Sequence, residues 1–242
     1  MKPFITFFFS LVFLFPVSSA VADNHPSEMV NHGAFSTLMV AARDVDKYVD
    51  TMKKNLEPFK AINSDGAGVC VTMSGHEYFG QMMVWNAYGG VQAALSGNAN
   101  YDPNQAPRKF ANLREVKYSV TWKPLKPFRL DPGYERVQRV EISPENTPAF
   151  VAGMSALEKA IQDGGHEDFF NGVFVPIGGG SHEATTLMIR SVARDEAAMG
   201  ALFDEYFSGT ATWASAFDSL QQAGATIISD NFEKCEQFYF GD

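Results

Sequence analysis

The chemistry this sequence could offer is concentrated in two His-Glu steps. His76-Glu77 lies in Ser74-Gly-His-Glu-Tyr-Phe-Gly80, and His182-Glu183 ends the stretch Gly178-Gly-Gly-Ser-His-Glu183. An imidazole beside a carboxylate suits a divalent cation or an acid–base pair. The plainer reading is a solvated turn. Adjacent residues of an extended chain also point to opposite faces, so the two groups of one step do not converge. A third step, His166-Glu167, follows Gly164-Gly165, where a cation at a helix end favours the helix dipole. Arg190 interrupts the apolar run Leu187-Met-Ile189; it either binds a carboxylate in a cavity or lies on a solvent face. Trp85 and Asn86 fall in the corresponding segment upstream and line either a pocket or the core. Gly178-Gly-Gly180 lacks the Lys-Ser/Thr of a phosphate loop. No Ser-His-Asp order, zinc signature or nucleotide fingerprint accompanies these residues, so no motif indicates a cofactor, and metal ligands stay open.

The elements that must position these groups come in a repeated order. Phe35–Ala42 leans towards a strand. Asp44 is placed to cap a helix whose apolar positions Val45, Val49, Met52, Leu56 and Phe59 share one face. Turn formers Asn63-Ser-Asp-Gly66 stop it, strands follow at Gly68–Met73 and Gln81–Ala87, and Gly89-Gly90 opens a short helix through Leu95. Further on, Tyr134–Ile142 reads as a strand, and Thr147-Pro148 as a helix start. That helix has the face Phe150, Met154, Leu157 and Ile161. Strands at Gly172–Ile177 and Thr185–Ser191 follow, and then helices at Glu196–Phe207 and Thr212–Gln222. Val45, Val49, Met52 and Leu56 precede Phe150, Met154, Leu157 and Ile161 by 105 positions each, and His76 precedes His182 by 106. One helix stripe could agree by chance; a stripe, a strand pair and a dipeptide together predict a duplicated unit.

Each copy closes with a strand. Val116, Tyr118, Val120 and Trp122 alternate with Lys117, Ser119, Thr121 and Lys123, the period of a half-buried strand. The second closing strand is Phe232–Phe240. Between the copies, Lys123–Gly133 carries three prolines, which favour an extended stretch. Cys70 and Cys235 both fall in strands, where a disulfide and buried free thiols are both open readings.

Bulk properties bound the rest. Lys2, an apolar run from Phe4 to Val17, and Ala20-Val-Ala22 have the layout of a secretory signal cut near Ala22. The run is shorter than the ~20 apolar residues of a spanning helix, which argues against a stable membrane anchor. These features predict a periplasmic or extracellular protein. His25 and His32 lie in the polar segment after the cut. The formal charge of -9 becomes about -10 without Lys2, and no basic run is present, which excludes nucleic acid as a partner. Hydrophobic residues make up 45% of the chain, enough for a core.

A tandem pair of β-α-β-β-α-β units resembles the dimeric α/β-barrel superfamily of ferredoxin-like folds, in which two such units pack sheet to sheet. The resemblance is topological and covers nearly all of the mature chain. It implies an α+β fold of two antiparallel sheets forming a pseudo-dimeric barrel, with a first unit at 33–124, a linker at 125–133 and a second unit at 134–242. It also implies a cavity between sheet and helices that binds a small apolar or aromatic ligand, as in small monooxygenases. A non-catalytic interaction or stress-related scaffold is the alternative. A haem enzyme is a lesser one, with its proximal histidine near the cavity of the second unit. Candidate ligand-binding residues are His76, Glu77, His182, Glu183, Arg190 and Trp85; the oligomeric state is left open.

Overall fold

A computed structural model describes residues 32–241. The proposed signal segment and His25 lie outside the described residues. The first copy runs β1 (Ala34–Ala42), α1 (Val45–Lys53), α2 (Glu57–Ala61), β2 (Gly66–Ser74), β3 (Gln81–Tyr88), α3 (Val91–Ala99), α4 (Arg108–Ala111) and β4 (Arg114–Pro124). The second runs β5 (Tyr134–Glu141), α5 (Thr147–Asp163), β6 (Phe170–Ile177), α6 (Gly180–Glu183), β7 (Thr186–Ala193), α7 (Glu196–Ser208), α8 (Ala214–Gln221) and β8 (Thr226–Phe240).

All eight strands form one closed antiparallel barrel in the order β1-β3-β2-β8-β5-β7-β6-β4. Each copy supplies four neighbours, β4-β1-β3-β2 and β8-β5-β7-β6, and the free edges of the two pair with each other. Closure removes both sheet edges. The two joints are unequal. β2 and β8 pair from Gly66–Phe240 to Ser74–Phe232, with register steps after Ala67 and after Thr72. β4 and β6 meet only from Thr121–Ile177 to Pro124–Phe174.

Strand alternation sorts most buried side chains into three cores, beside a small fourth cluster of Ala34, Ile62, Tyr88 and Ala94. Inside the barrel lie Phe35, Met83, Trp85, Trp122, Phe174 and Met188. Outside, Leu38, Val40, Val69 and Val84 pack under Tyr48, Val49, Met52 and Phe59 of the first copy's helices. The third core joins Val173, Leu187 and Ile189 to Phe150, Met154, Leu157 and Ile161 of α5, with Trp213 and Leu220 beyond. The helix stripes are therefore buried faces. Asp44 and Asp195 cap α1 and α7 by accepting from the N–H groups of Lys47 and Ala198.

Four details depart from the sequence expectation. The stripe from Val45 to Phe59 is not one helix: α1 stops at Lys53 and α2 begins at Glu57, because Pro58 has no N–H to continue the ladder. Thr147 is the first residue of α5 rather than its cap, and Asn146 precedes it. The helix expected to end at Leu95 continues as α3 to Ala99, and the short α4 follows before β4. The alternation of β4 breaks opposite Met39 and Val40, where the register steps over Lys117. Val116 consequently packs outward under the helices, while Tyr118, Val120 and Trp122 face the barrel interior. The linker is irregular and docked. Lys126 is buried and donates to Glu158 Oε2 and the Asn171 carbonyl, each at 2.7 Å, and Phe128 and Leu130 pack against the interior at that end of the barrel.

Candidate functional site

Between the outer face of β1, β3 and β4 and the first copy's helices lies a cavity of about 100 Å³. Its walls are largely apolar, built from Leu38, Met52, Phe59, Ile62, Val84 and Phe110. One cation reaches it. Arg114, at the start of β4, is 6% exposed. Its Nη1 donates to Tyr48 Oη at 2.5 Å, and its Nη2 donates to Tyr101 Oη at 2.8 Å and to the Pro103 carbonyl at 3.5 Å. Arg114 Nε and Asn86 Oδ1 are buried without a protein partner. Among the described residues, no aspartate, glutamate, lysine or histidine lines the cavity. A guanidinium stays charged in a protein. Here its partners are neutral oxygens, so the cavity presents uncompensated positive charge in apolar surroundings. Burial pushes the Tyr48 phenol up to about 12 despite the opposing pull of Arg114. Tyr48 is therefore a neutral hydroxyl at ordinary pH, free to donate onward.

The sequence-derived candidates lie elsewhere. His76 is exposed in the turn between β2 and β3, beside an exposed Glu77. In the second copy the step divides. His182 is exposed and stacks on Tyr118 at 4.2 Å, while Glu183, 1% exposed, turns into the barrel. There Glu183 accepts from Arg139 Nε at 2.8 Å, Arg139 Nη2 at 2.9 Å and Tyr118 Oη at 2.8 Å. Among the described residues, the one group whose three ligand atoms lie within 4.8 Å of each other is Cys70, Glu135 and Cys235, so neither imidazole belongs to such a set. Its two sulfurs are bonded to each other as a disulfide. Trp85 is buried inside the barrel. So is Arg190, whose carboxylate partners are the chain's own: Nε bonds Glu135 at 2.5 Å and Nη2 bonds Glu233 at 2.8 Å. A solvent face for Arg190 presupposed an open sheet; barrel closure buries that face. Of the polar and aromatic residues weighed in the sequence for binding, Asn86 alone borders the sheet–helix cavity, beside Met52 and Phe59 of the helix stripe. Tyr48 sits between Val45 and Val49 on the face of α1, and that position was the available signal for it. Arg114 carried no such mark.

No family model matches the sequence, and no curated protein matches it. Solved structures do. An anthrone oxidase-like protein superposes with a TM-score of 0.54 at 10% identity, covering 88% of this chain and 97% of that one. A heme-binding protein from Thermus thermophilus superposes with a TM-score of 0.50 at 11% identity, covering 87% and 93%. Likeness at this identity speaks for the fold, and the two fused four-strand units speak for the same one. The chain has the fold of a dimeric α/β barrel.

The two halves of this α/β barrel are not equivalent. In the second, Trp213 and Leu220, carried by α8 and the turn before it, pack over α5 and the sheet. The first copy has only the short α3 and α4 in that part of the chain, and the cavity remains open. A haem fits the barrel poorly at its histidines. His166 is bonded through Nε2 to Glu205 at 3.0 Å, and the pocket beside it mixes the charged Glu167, Asp168 and Arg194 with Phe169, Ala198 and Leu202. The ring nitrogen that would ligate iron is thus committed to Glu205, His182 borders a polar chamber, and among the described residues no histidine lines the cavity of the first half.

Proposed function

We propose that the sheet–helix cavity of the first unit binds a small aromatic compound whose acidic hydroxyl or carbonyl oxygen meets Arg114. The observation that carries this reading is a buried guanidinium, satisfied only by phenols and a carbonyl, at the edge of an apolar chamber. An oxyanion supplies the charge it lacks and a charge-assisted hydrogen bond. Asn86 and Tyr48 can orient the same oxygen. The cavity offers a stabilising cation and no carboxylate or imidazole base. Oxidation of the monooxygenase kind would therefore be confined to ligands acidic enough to ionise beside Arg114 unaided. An anthrone is such a ligand, and the anthrone oxidase-like structure of the same fold supports testing it. A scaffold without a ligand is the alternative.

4-Nitrophenol tests the binding claim, because its absorbance reports its own ionisation. The mature protein should raise the phenolate fraction at fixed pH, and Arg114→Met should abolish the effect while keeping the far-ultraviolet circular dichroism. No spectral change, or an equal change with Arg114→Met, would end the reading. Oxygen uptake with anthrone and no added cofactor tests the chemistry separately. A Soret band in protein purified from a haem-replete host would instead favour the haem alternative.

Export to an oxidising compartment belongs to the same proposal. The Cys70–Cys235 disulfide supports it, since such bonds persist mainly outside the cytosol. N-terminal sequencing of protein recovered from a periplasmic fraction should begin just after Ala22.

A further inference from the structure

The barrel interior holds a polar chamber separate from the apolar cavity beside Arg114. It opens at the end opposite the docked linker, has a volume of about 160 Å³, and is bordered by Tyr78, Tyr118, Arg139, His182, Glu183 and Glu233. Its charges do not balance. Glu135, Glu183 and Glu233 are buried in the barrel, 4%, 1% and 3% exposed. Facing them are two guanidiniums: Arg139 is committed to Glu183, and Arg190 is shared between Glu135 and Glu233. Counted as ionised, the three carboxylates exceed the guanidiniums by one. Burial pushes the Glu135 carboxyl upward against the pull of Arg190, so Glu135 is the member that most readily takes up a proton and Glu233 the one that keeps its charge beside Arg190. Of the two carboxylates sharing Arg190, Glu233 is the one that borders the chamber. At the rim Glu77 adds a further acid.

The remaining walls suit a cation. Tyr78 and Tyr118 present aromatic rings, and Lys117 Nζ already stands 4.9 Å from the centroid of the Tyr78 ring. Tyr78 Oη is buried with no protein partner. The surrounding field is negative: after burial itself, the charges of Glu77, Glu233 and Glu115 help to push the Tyr78 phenol up to about 12. Met39 and Ile228 supply apolar surface beside these groups, and Ile228 is 54% exposed at the entrance.

We propose that this barrel mouth is a binding site for a small organic ammonium with an apolar or aromatic body, its charge set against Glu233 and the tyrosine rings. The volume matches a ligand of benzene size, since an apolar cavity of ~150 Å³ takes up benzene. The site is independent of the Arg114 cavity, and the two prefer ligands of opposite charge.

Methyl-labelled methionines locate the ligand in one titration, because Met39 borders the mouth and Met52 borders the Arg114 cavity. Benzylamine added to the full mature protein should shift the Met39 methyl resonance and leave Met52 in place. Benzyl alcohol and benzoate, of the same shape, should bind at least about tenfold more weakly at Met39. Tyr78→Ala should weaken benzylamine about tenfold, the scale of a lost cation–π contact. Absence of a benzylamine shift at Met39, an equal response to benzyl alcohol or benzoate, or movement of Met52 instead would each overturn the site. None of these depends on whether 4-nitrophenol binds at Arg114.

Discussion

Cys70 and Cys235 are direct partners across β2 and β8, and their disulfide ties the two copies together over a separation of 165 residues. Arg190 Nη2 stands 3.3 Å from Cys70 Sγ and 3.2 Å from Cys235 Sγ, so the bridge passes beside the buried charge cluster rather than at the surface. One joint of the barrel is thereby covalent.

Closing so long a loop restricts the unfolded chain strongly. A Cys70→Ala/Cys235→Ala variant, or the reduced wild type, should lose about 2–5 kcal/mol of unfolding free energy. Urea titrations with and without reductant measure it. An unchanged midpoint would show that the bond adds nothing to stability.

Arg190 holds two buried carboxylates, so its loss leaves both uncompensated. Arg190→Met should cost about 3–5 kcal/mol. Adding Glu135→Gln and Glu233→Gln should recover much of that, because the cost lies in stranded charge rather than in a missing attraction. A thermodynamic cycle over the variants reads this coupling; simple additivity would contradict it.

Tyr48 gives a pH dependence. Below pH 10 the phenol is protonated in both folded and unfolded chains, and its ionisation leaves stability unaffected. From pH 10 to about 12 the unfolded chain gives up a proton that burial makes the folded chain keep, so stability falls as pH rises. The loss is on the order of 2–3 kcal/mol, at ~1.4 kcal/mol per pKa unit. Urea midpoints across that range should drop more steeply in the wild type than in Tyr48→Phe.

Much of the architecture was legible before any coordinates. The 105-residue offset from Val45 to Phe150 and from Met52 to Leu157 marks positions that face a core in both copies, and burial constrains such positions locally. Asp44 announced its helix for the same local reason. The binding cavity was foreseen as a place but not as residues. Arg114 gains its meaning from Tyr48, 66 positions earlier, and from Tyr101, beyond the helix expected to end at Leu95. Arg190 was visible as an anomaly in an apolar strand, but its acids, Glu135 and Glu233, come from two strands that only closure of the barrel brings together. The stepped register at Lys117 is equally invisible in a clean alternation, and it decides which face of β4 meets the cavity.

The short joint between β4 and β6 has a mechanical consequence. Where the opposite joint is riveted by sulfur, this one rests on four residue pairs, and Pro124 and Pro176 among them have no N–H to lend. The wall of the barrel should breathe there first. Amides at Thr121 and Lys123 should then exchange with deuterium sooner than those of Val69 and Val71. β4 also carries Arg114, so a chain that loosens along this slit changes the shape of the Arg114 cavity while the sulfur-bonded side stays shut.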